Sequence, residues 1–246
     1  MKVQGPTLQI RFCHKKSLKT SLEQAMKVVV AFVAAALRAA ASIPTVRLNN
    51  GVEMPVVAAG TAGFNDSEAT VAVRNALRAN LTAIHTALDY FNLKGVGLGL
   101  QEVPREEAFV ISMTPPCVHS APPARNVTDP AACEALTTRE LEAVLADLGV
   151  ASLDLVMLHG PSEPFGFEGA CSRAVCGVNA AQWRAYEAFL SAGKTRAIGV
   201  SNFCQSCLAC LPGTTPATNQ LQRDPRVAIG AFARVDDERP PFRYTL

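Results

Sequence analysis

Four histidines and eight cysteines are the side chains of this sequence best suited to acid–base, nucleophilic or metal chemistry. Cys204-x-x-Cys207-x-x-Cys210 invites a thiolate metal site, but such a site needs a fourth ligand at suitable spacing, and the nearest histidines lie far upstream. No metal is expected. The other cysteines, Cys13, Cys117, Cys133, Cys171 and Cys176, are scattered through a large domain rather than packed into a small secreted one, so thiols outside disulfides, buried or at helix starts, are the expectation. His14 and His119 fall in the leader and in a loop and are given no role. His85 and His159 each lie in or at the end of a short apolar run, the kind of place where a strand presents a side chain to a site.

Those runs recur. From Ile43 onward, short apolar stretches alternate with longer amphipathic ones, the signature of repeated βα units and a parallel sheet. The Asn50-Gly51 turn predicts a hairpin between Thr45–Leu48 and Glu53–Val57 ahead of the first strand at Val56–Gly60. Asp66 and Ser67 are expected to cap a helix whose apolar face carries Val71, Ala72, Ala76 and Leu77. Leu81–Ala87 is the second strand, Asn92–Leu100 helix or loop, and Ala108–Met113 the third strand. Cys133–Leu148 is a helix turning Leu136, Leu141, Val144, Leu145 and Leu148 inward and closed by Gly149. Leu153–His159 is strand four, Asn179–Ala192 a helix with Trp183, Tyr186 and Leu190 on one face, Arg196–Ser201 strand five, Cys204–Leu211 a short helix and Ala217–Leu221 strand six.

Two long connections, Thr114–Ala131 and Gly160–Val178, follow strands three and four; in a barrel such loops lie at the active-site mouth. After Gln222 only 24 residues remain, without a further strand–helix pattern. The expected architecture is therefore an α/β chain of the (β/α)8 barrel type with an N-terminal β-hairpin, truncated after about six βα units. Residues 1–42 carry seven basic residues against Glu23 alone, a net +6, which leaves −4 for the rest of a chain of net charge +2. That basic start and the run Val28–Leu37, too short to span a bilayer, read as a targeting segment, so the chain is expected to be cytoplasmic or, through residues 1–42, organelle-targeted, with 43–222 the partial barrel and 223–246 an irregular tail. The acidic body offers no clustered basic face for nucleic acid.

Several segments together resemble one family. Leu48-Asn-Asn-Gly-Val-Glu-Met-Pro55, Thr86-Ala-Leu-Asp-Tyr90-Phe-Asn92, Arg105-Glu-Glu-Ala-Phe-Val-Ile-Ser112, Leu153-Asp-Leu-Val-Met-Leu-His-Gly-Pro161, Gly193-Lys-Thr-Arg-Ala-Ile-Gly-Val-Ser-Asn-Phe203 and Asn219-Gln220 are similar, in order and spacing, to the aldo-keto reductases over residues 43–225. The resemblance implies a barrel enzyme that moves hydride from NADPH to an aldehyde or ketone, with an Asp, a Tyr, a Lys and a His around the carbonyl. Hydride delivery builds negative charge on the carbonyl oxygen, so a phenol supplies a proton while neighbouring donors stabilise the oxyanion.

Carried over residue by residue, Tyr90 matches the proton donor and His159 the histidine that orients the substrate oxygen. His85 stands where the carboxylate belongs and Met113 where the lysine belongs, so both members of one ion pair are replaced together. Asp89 occupies a variable position of the motif and is expected to point away from the barrel centre. Ser201, Asn202 and Gln220 match the residues that hydrogen-bond the nicotinamide amide, and Gly60 and Thr61 the strand-one contacts. The family's segment for the 2′-phosphate has no counterpart here, which implies weakened NADPH binding. The resemblance leaves two functions open: an impaired carbonyl reductase, or a catalytically inactive cofactor-binding or interaction protein whose open barrel edges lead to self-association.

Overall fold

The computed structural model describes residues 26–27, 43–120, 124–162 and 171–221; most of the leader, the whole tail, and residues 121–123 and 163–170 of the two long connections lie outside the described residues. Met1–Ser42 and Ile43–Leu246 are separate units, and every element below belongs to the second.

The hairpin forms as the Asn-Gly turn requires. β1 (Thr45–Arg47) and β2 (Glu53–Pro55) pair antiparallel with Val46 opposite Met54. Gly51 sits at φ +86°, a conformation that costs glycine little. β3 (Ala59–Gly60) then opens the main sheet. α1 (Asp66–Arg78) is capped one residue earlier than expected: the Asn65 side chain accepts from Glu68 N–H, and the Glu68 carboxylate returns to Asn65 N–H in a capping box. Its inner face is Ala69, Val73 and Leu77, four residues apart, while Val71 is exposed. β4 (Ala83–His85) follows, then a 3-10 turn at Leu88–Tyr90 that Phe91 ends in the left-handed conformation.

The segment left open between helix and loop is α2 (Leu93–Leu100), and its glycines are the reason it packs. A Cβ on Gly95 would run into Asp66 O, and one on Gly97 into Leu148 O, so α2 sits against its neighbours by backbone contact. β5 (Phe109–Thr114) is buried along its whole length. The connection after it carries a small hairpin, β6 (Val118–His119) with β7 (Arg125–Asn126), before α3 (Pro130–Leu148), which Asp129 caps and Gly149 closes at φ +66°. Leu136 is half-buried rather than inward, and Thr137 takes the buried position.

β8 (Leu155–Leu158) is preceded by Asp154, the one acidic residue in its run, whose carboxylate accepts from Arg105, Arg196 and Val110 N–H at 2.7–2.8 Å. α4 (Arg173–Ser191) begins six residues earlier than Asn179, because Ser172 caps it. Trp183 and Tyr186 stack on its inner face at 5.9 Å, the indole donating to Thr214 O. β9 (Ile198–Ser201), α5 (Gln205–Leu208) and β10 (Asn219–Gln220) complete the described chain.

Six strands form one parallel sheet in the order β10-β9-β8-β5-β4-β3. β4 and β10 stand four places apart, about 19 Å in a flat sheet, yet His85 and Gln220 touch at 3.0 Å. The sheet is therefore curled into a half-barrel, with two-residue strands at both edges. Its inner face gathers Phe109, Ile111, Met113, Leu155 and Met157, closed below by Leu48 and Met54 of the hairpin. Its outer face, with Val110, Val156, Ile198 and Val200, packs under the helices. Among the described residues no helix is long and apolar enough to cross a membrane.

The thiol expectation is overturned. Cys117–Cys133, Cys171–Cys207 and Cys176–Cys210 are disulfides, with Cα separations of 5.8, 5.1 and 4.9 Å. Domain size misleads here, because the early start of α4 brings Cys171 and Cys176 against α5, a juxtaposition that spacing along the chain does not display. Such bonds suit a chain that folds under oxidising conditions.

Candidate functional site

The C-terminal ends of the strands bring the polar residues together. Tyr90 lies on the 3-10 turn just past β4, and His159 directly follows β8. Their rings meet edge to face at 5.6 Å. His159 Nδ1 lies 2.9 Å from Asp89 Oδ1, and since a carboxylate can only accept, that nitrogen carries the hydrogen. Asp89 thus turns toward the site, contrary to the sequence expectation. The tight turn Leu88–Tyr90 sets it across from the end of β8, and no signal short of that geometry shows it. Burial first, and the Asp89 charge second, push the Tyr90 phenol above its ordinary value of 10.0.

His85 ends β4, level with Gly60 on β3. Its Nε2–H donates to Gln220 Oε1 at 3.0 Å. Burial holds its imidazole below the ordinary 6.5; the Gln220 bond opposes this, and the nearby His159 adds to it. Its backbone carbonyl accepts from both Thr61 N–H and the Thr61 hydroxyl, at 3.1 and 3.3 Å. Met113 is 1% exposed and lies in the apolar inner cluster, against which Tyr90 also packs.

On the other side, Asn202 adopts φ +57°, a left-handed conformation that asparagine tolerates better than most side chains. From there its amide donates to His159 O and Ser201 Oγ, both at 3.1 Å, and its backbone N–H to Gln220 O at 2.9 Å. The Ser201 hydroxyl donates to the same Gln220 carbonyl at 3.0 Å. Asn202 therefore ties the ends of β8, β9 and β10 together. Asn92, fully buried, does the same for the first loop by donating to Thr61 O and Phe64 O.

A cavity of about 160 Å³ occupies the open inside of the half-barrel, from Gly60, His85 and Gln220 down to Met54–Val56 of the hairpin. Tyr90, His159 and Met113 do not line it. The sequence-selected residues thus form two neighbouring groups: Tyr90 and His159 with Asp89 at the rim, and Gly60, His85 and Gln220 around the cavity, with Thr61, Ser201 and Asn202 bonded to the latter.

The aldo/keto reductase family pattern matches residues 56–227. The chain belongs to the aldo/keto reductase family. It is 32% identical over 207 residues to an aldo-keto reductase of Mycolicibacterium vanbaalenii, covering 82% of this chain and 66% of that one. Against the glyoxal reductase of Bacillus subtilis it is 33% identical over 189 residues, covering 74% and 59%. Among solved structures, an aldo/keto reductase from Brucella melitensis aligns with a TM-score of 0.61 at 27% identity, over 74% of this chain and 63% of that one. Bombyx mori aldo-keto reductase in complex with NADP gives 0.57 at 25% identity, over 74% and 59%. The chain spans less than two thirds of the length of these aldo/keto reductase relatives, and its six parallel strands have the barrel fold of that family in part.

Proposed function

We propose that the chain reduces a small aldehyde or ketone, with Tyr90 giving the proton and His159 orienting the carbonyl oxygen. The observation that carries this reading is the Asp89–His159 hydrogen bond beside the Tyr90 ring. With Nδ1–H committed to Asp89, ring rotation of His159 is restrained; in the neutral ring the remaining Nε2 is an acceptor, so it can bond a carbonyl oxygen only when it too carries a hydrogen. In the imidazolium form both nitrogens donate, one to each oxygen.

The raised phenol of Tyr90 supports reduction as the favoured direction. It stays protonated through the neutral range, the form that reduction uses, whereas oxidation of an alcohol needs the phenolate. His85 and Met113, at the acid and lysine positions, supply no cation to draw the phenol down, so the reaction is slow and biased toward reduction. NADPH, when bound, supplies the hydride. Its fit rests on the donor set: hydroxyl and amide groups of Ser201, Asn202 and Gln220 converge at adjacent strand ends, with Gly60 and Thr61 opposite, and no Cβ narrows the approach at Gly60. Ser201, Asn202 and Gln220 must each leave or share bonds they make within the protein to take part, which weakens binding. The test is the loss of NADPH absorbance with a small aldehyde in the native chain and in Tyr90→Phe.

A second reading, a cofactor-binding or interaction protein without turnover, draws on Met113, which fills the interior as an apolar side chain. NADPH that raises the melting temperature without any Tyr90-dependent turnover would favour it.

A further inference from the structure

The sulfur cluster at the start of α5 stands outside the reductase chemistry. The fold adds Cys171 to Cys204 and Cys207, and the three sulfur atoms lie within 4.8 Å of one another. Cys171 and Cys207 form a disulfide, while Cys204 is a buried thiol whose Sγ lies 3.0 Å from Cys207 Sγ. A thiol against one sulfur of a disulfide is the arrangement from which thiol–disulfide exchange proceeds, the thiolate attacking one sulfur and the other leaving.

Two polar side chains serve the two ends of that reaction. The Ser206 hydroxyl lies 3.2 Å from Cys204 Sγ and also accepts the Cys171 N–H at 3.3 Å. It contacts both the attacking sulfur and the residue that leaves. Asn179, fully buried, donates its amide toward Cys171 Sγ at 3.6 Å, while its oxygen accepts the Ser162 N–H at 2.8 Å. An N–H directed at the departing sulfur stabilises the thiolate that forms there.

We propose that Cys204, Cys207 and Cys171 form a thiol–disulfide exchange site. Cys204 gives up its proton and its thiolate attacks Cys207 Sγ. The Cys204–Cys207 bond forms, the Cys171–Cys207 bond breaks, and the electron pair leaves on Cys171 Sγ, which takes up a proton. One thiol and one disulfide stand on each side, so no oxidant or reductant is consumed. The exchange moves the reactive sulfur from a position 8% exposed to the more accessible Cys171. It also cuts one of the two covalent ties between the region of Cys171 and the segment around α5, leaving the Cys176–Cys210 bond in place. The site is thus a store that presents a soft nucleophile to small disulfides or electrophiles, and it adjoins the two strand ends that frame the candidate reductase site.

The test is peptide mapping of the purified full chain, held under non-reducing conditions, quenched in acid and alkylated. The native chain is expected to give two isomers, one alkylated at Cys204 with Cys171–Cys207 bonded, the other alkylated at Cys171 with Cys204–Cys207 bonded. In Cys204→Ser, labelling of Cys171 falls about tenfold or more, because the attacking thiol is gone, while the Cys176–Cys210 bond persists. A native chain with the Cys171–Cys207 isomer alone overturns the proposal without recourse to any variant. So do Cys171 labelling that survives in Cys204→Ser, and a native chain with all three sulfurs alkylated.

Discussion

At the rim of the half-barrel, Asp89 holds His159 at 2.9 Å beside Tyr90, and all three side chains are only partly buried. Beneath them, Met113 is buried among apolar side chains, and His85, which lines the open cavity and is itself only partly buried, is held toward its neutral form by desolvation. The carboxylate in contact with the rim site thus stands where water still reaches it, while the inner positions carry no fixed charge. The contrast follows from desolvation. A lone buried carboxylate or ammonium costs several kcal/mol without its partner, so on the proposed assignment of His85 and Met113 the replacement of both charges together avoids that cost. A carboxylate at the rim is tolerated because its ionised form stays hydrated and finds an imidazole to accept from.

Returning charge to the interior is the strongest way to break this contrast. Met113→Lys alone should destabilise the fold by roughly 3–5 kcal/mol, measured by urea unfolding, and adding His85→Asp should recover part of the loss. Equal losses in the single and double variants would mean that the two positions do not face one another. Removing the rim carboxylate is the next largest change. Asp89→Ala should slow reduction by about 10- to 100-fold, the worth of a hydrogen bond to a charged group, and should release the Nδ1–H tautomer of His159 in 15N NMR. Asp89→Asn, whose oxygen still accepts, should restore the tautomer and part of the rate. An unaltered tautomer in Asp89→Ala would separate the dyad from the chemistry.

The smallest effect is a pH dependence. His85 binds its proton less readily folded than unfolded, so the unfolded chain takes up protons first as the pH falls through the ordinary 6.5. Its contribution to stability is complete above that value and is lost below it. Melting temperatures taken from pH 7 to 5 should fall more steeply in the native chain than in His85→Gln, by at most one proton's slope of about 1.4 kcal/mol per pH unit. A steeper fall in His85→Gln would place the acid sensitivity elsewhere.

The strand order was legible in the sequence, because the alternating periods that mark it are local properties that a parallel sheet preserves, whereas the grouping of Tyr90 with His159 was expected only from the resemblance to the aldo-keto reductases. The Asn50-Gly51 turn and Gly149 were legible for the same reason: each meets a backbone requirement within four residues. What escaped depends on contacts between distant segments. Asp89 lies 70 residues from its imidazole, and whether it faces the site is set by one 3-10 turn. The bonded cysteines are 16, 36 and 34 residues apart, and a size argument about disulfides carries no information on which segments meet. Gln220 was placed at the right strand end, but its bond to His85 needed the curl of the sheet, which no stretch of sequence encodes by itself.

The proposed reduction requires the Tyr90 phenol, at the rim of the half-barrel, to give up its proton. Its most direct test is the rate of NADPH oxidation with a small aldehyde at neutral pH in the native chain and in Tyr90→Phe. Slow reduction that drops by about 100-fold or more in the variant, with alcohol oxidation weaker than reduction in the native chain, is the predicted result. Turnover that survives in Tyr90→Phe, or a native chain with none, would contradict it.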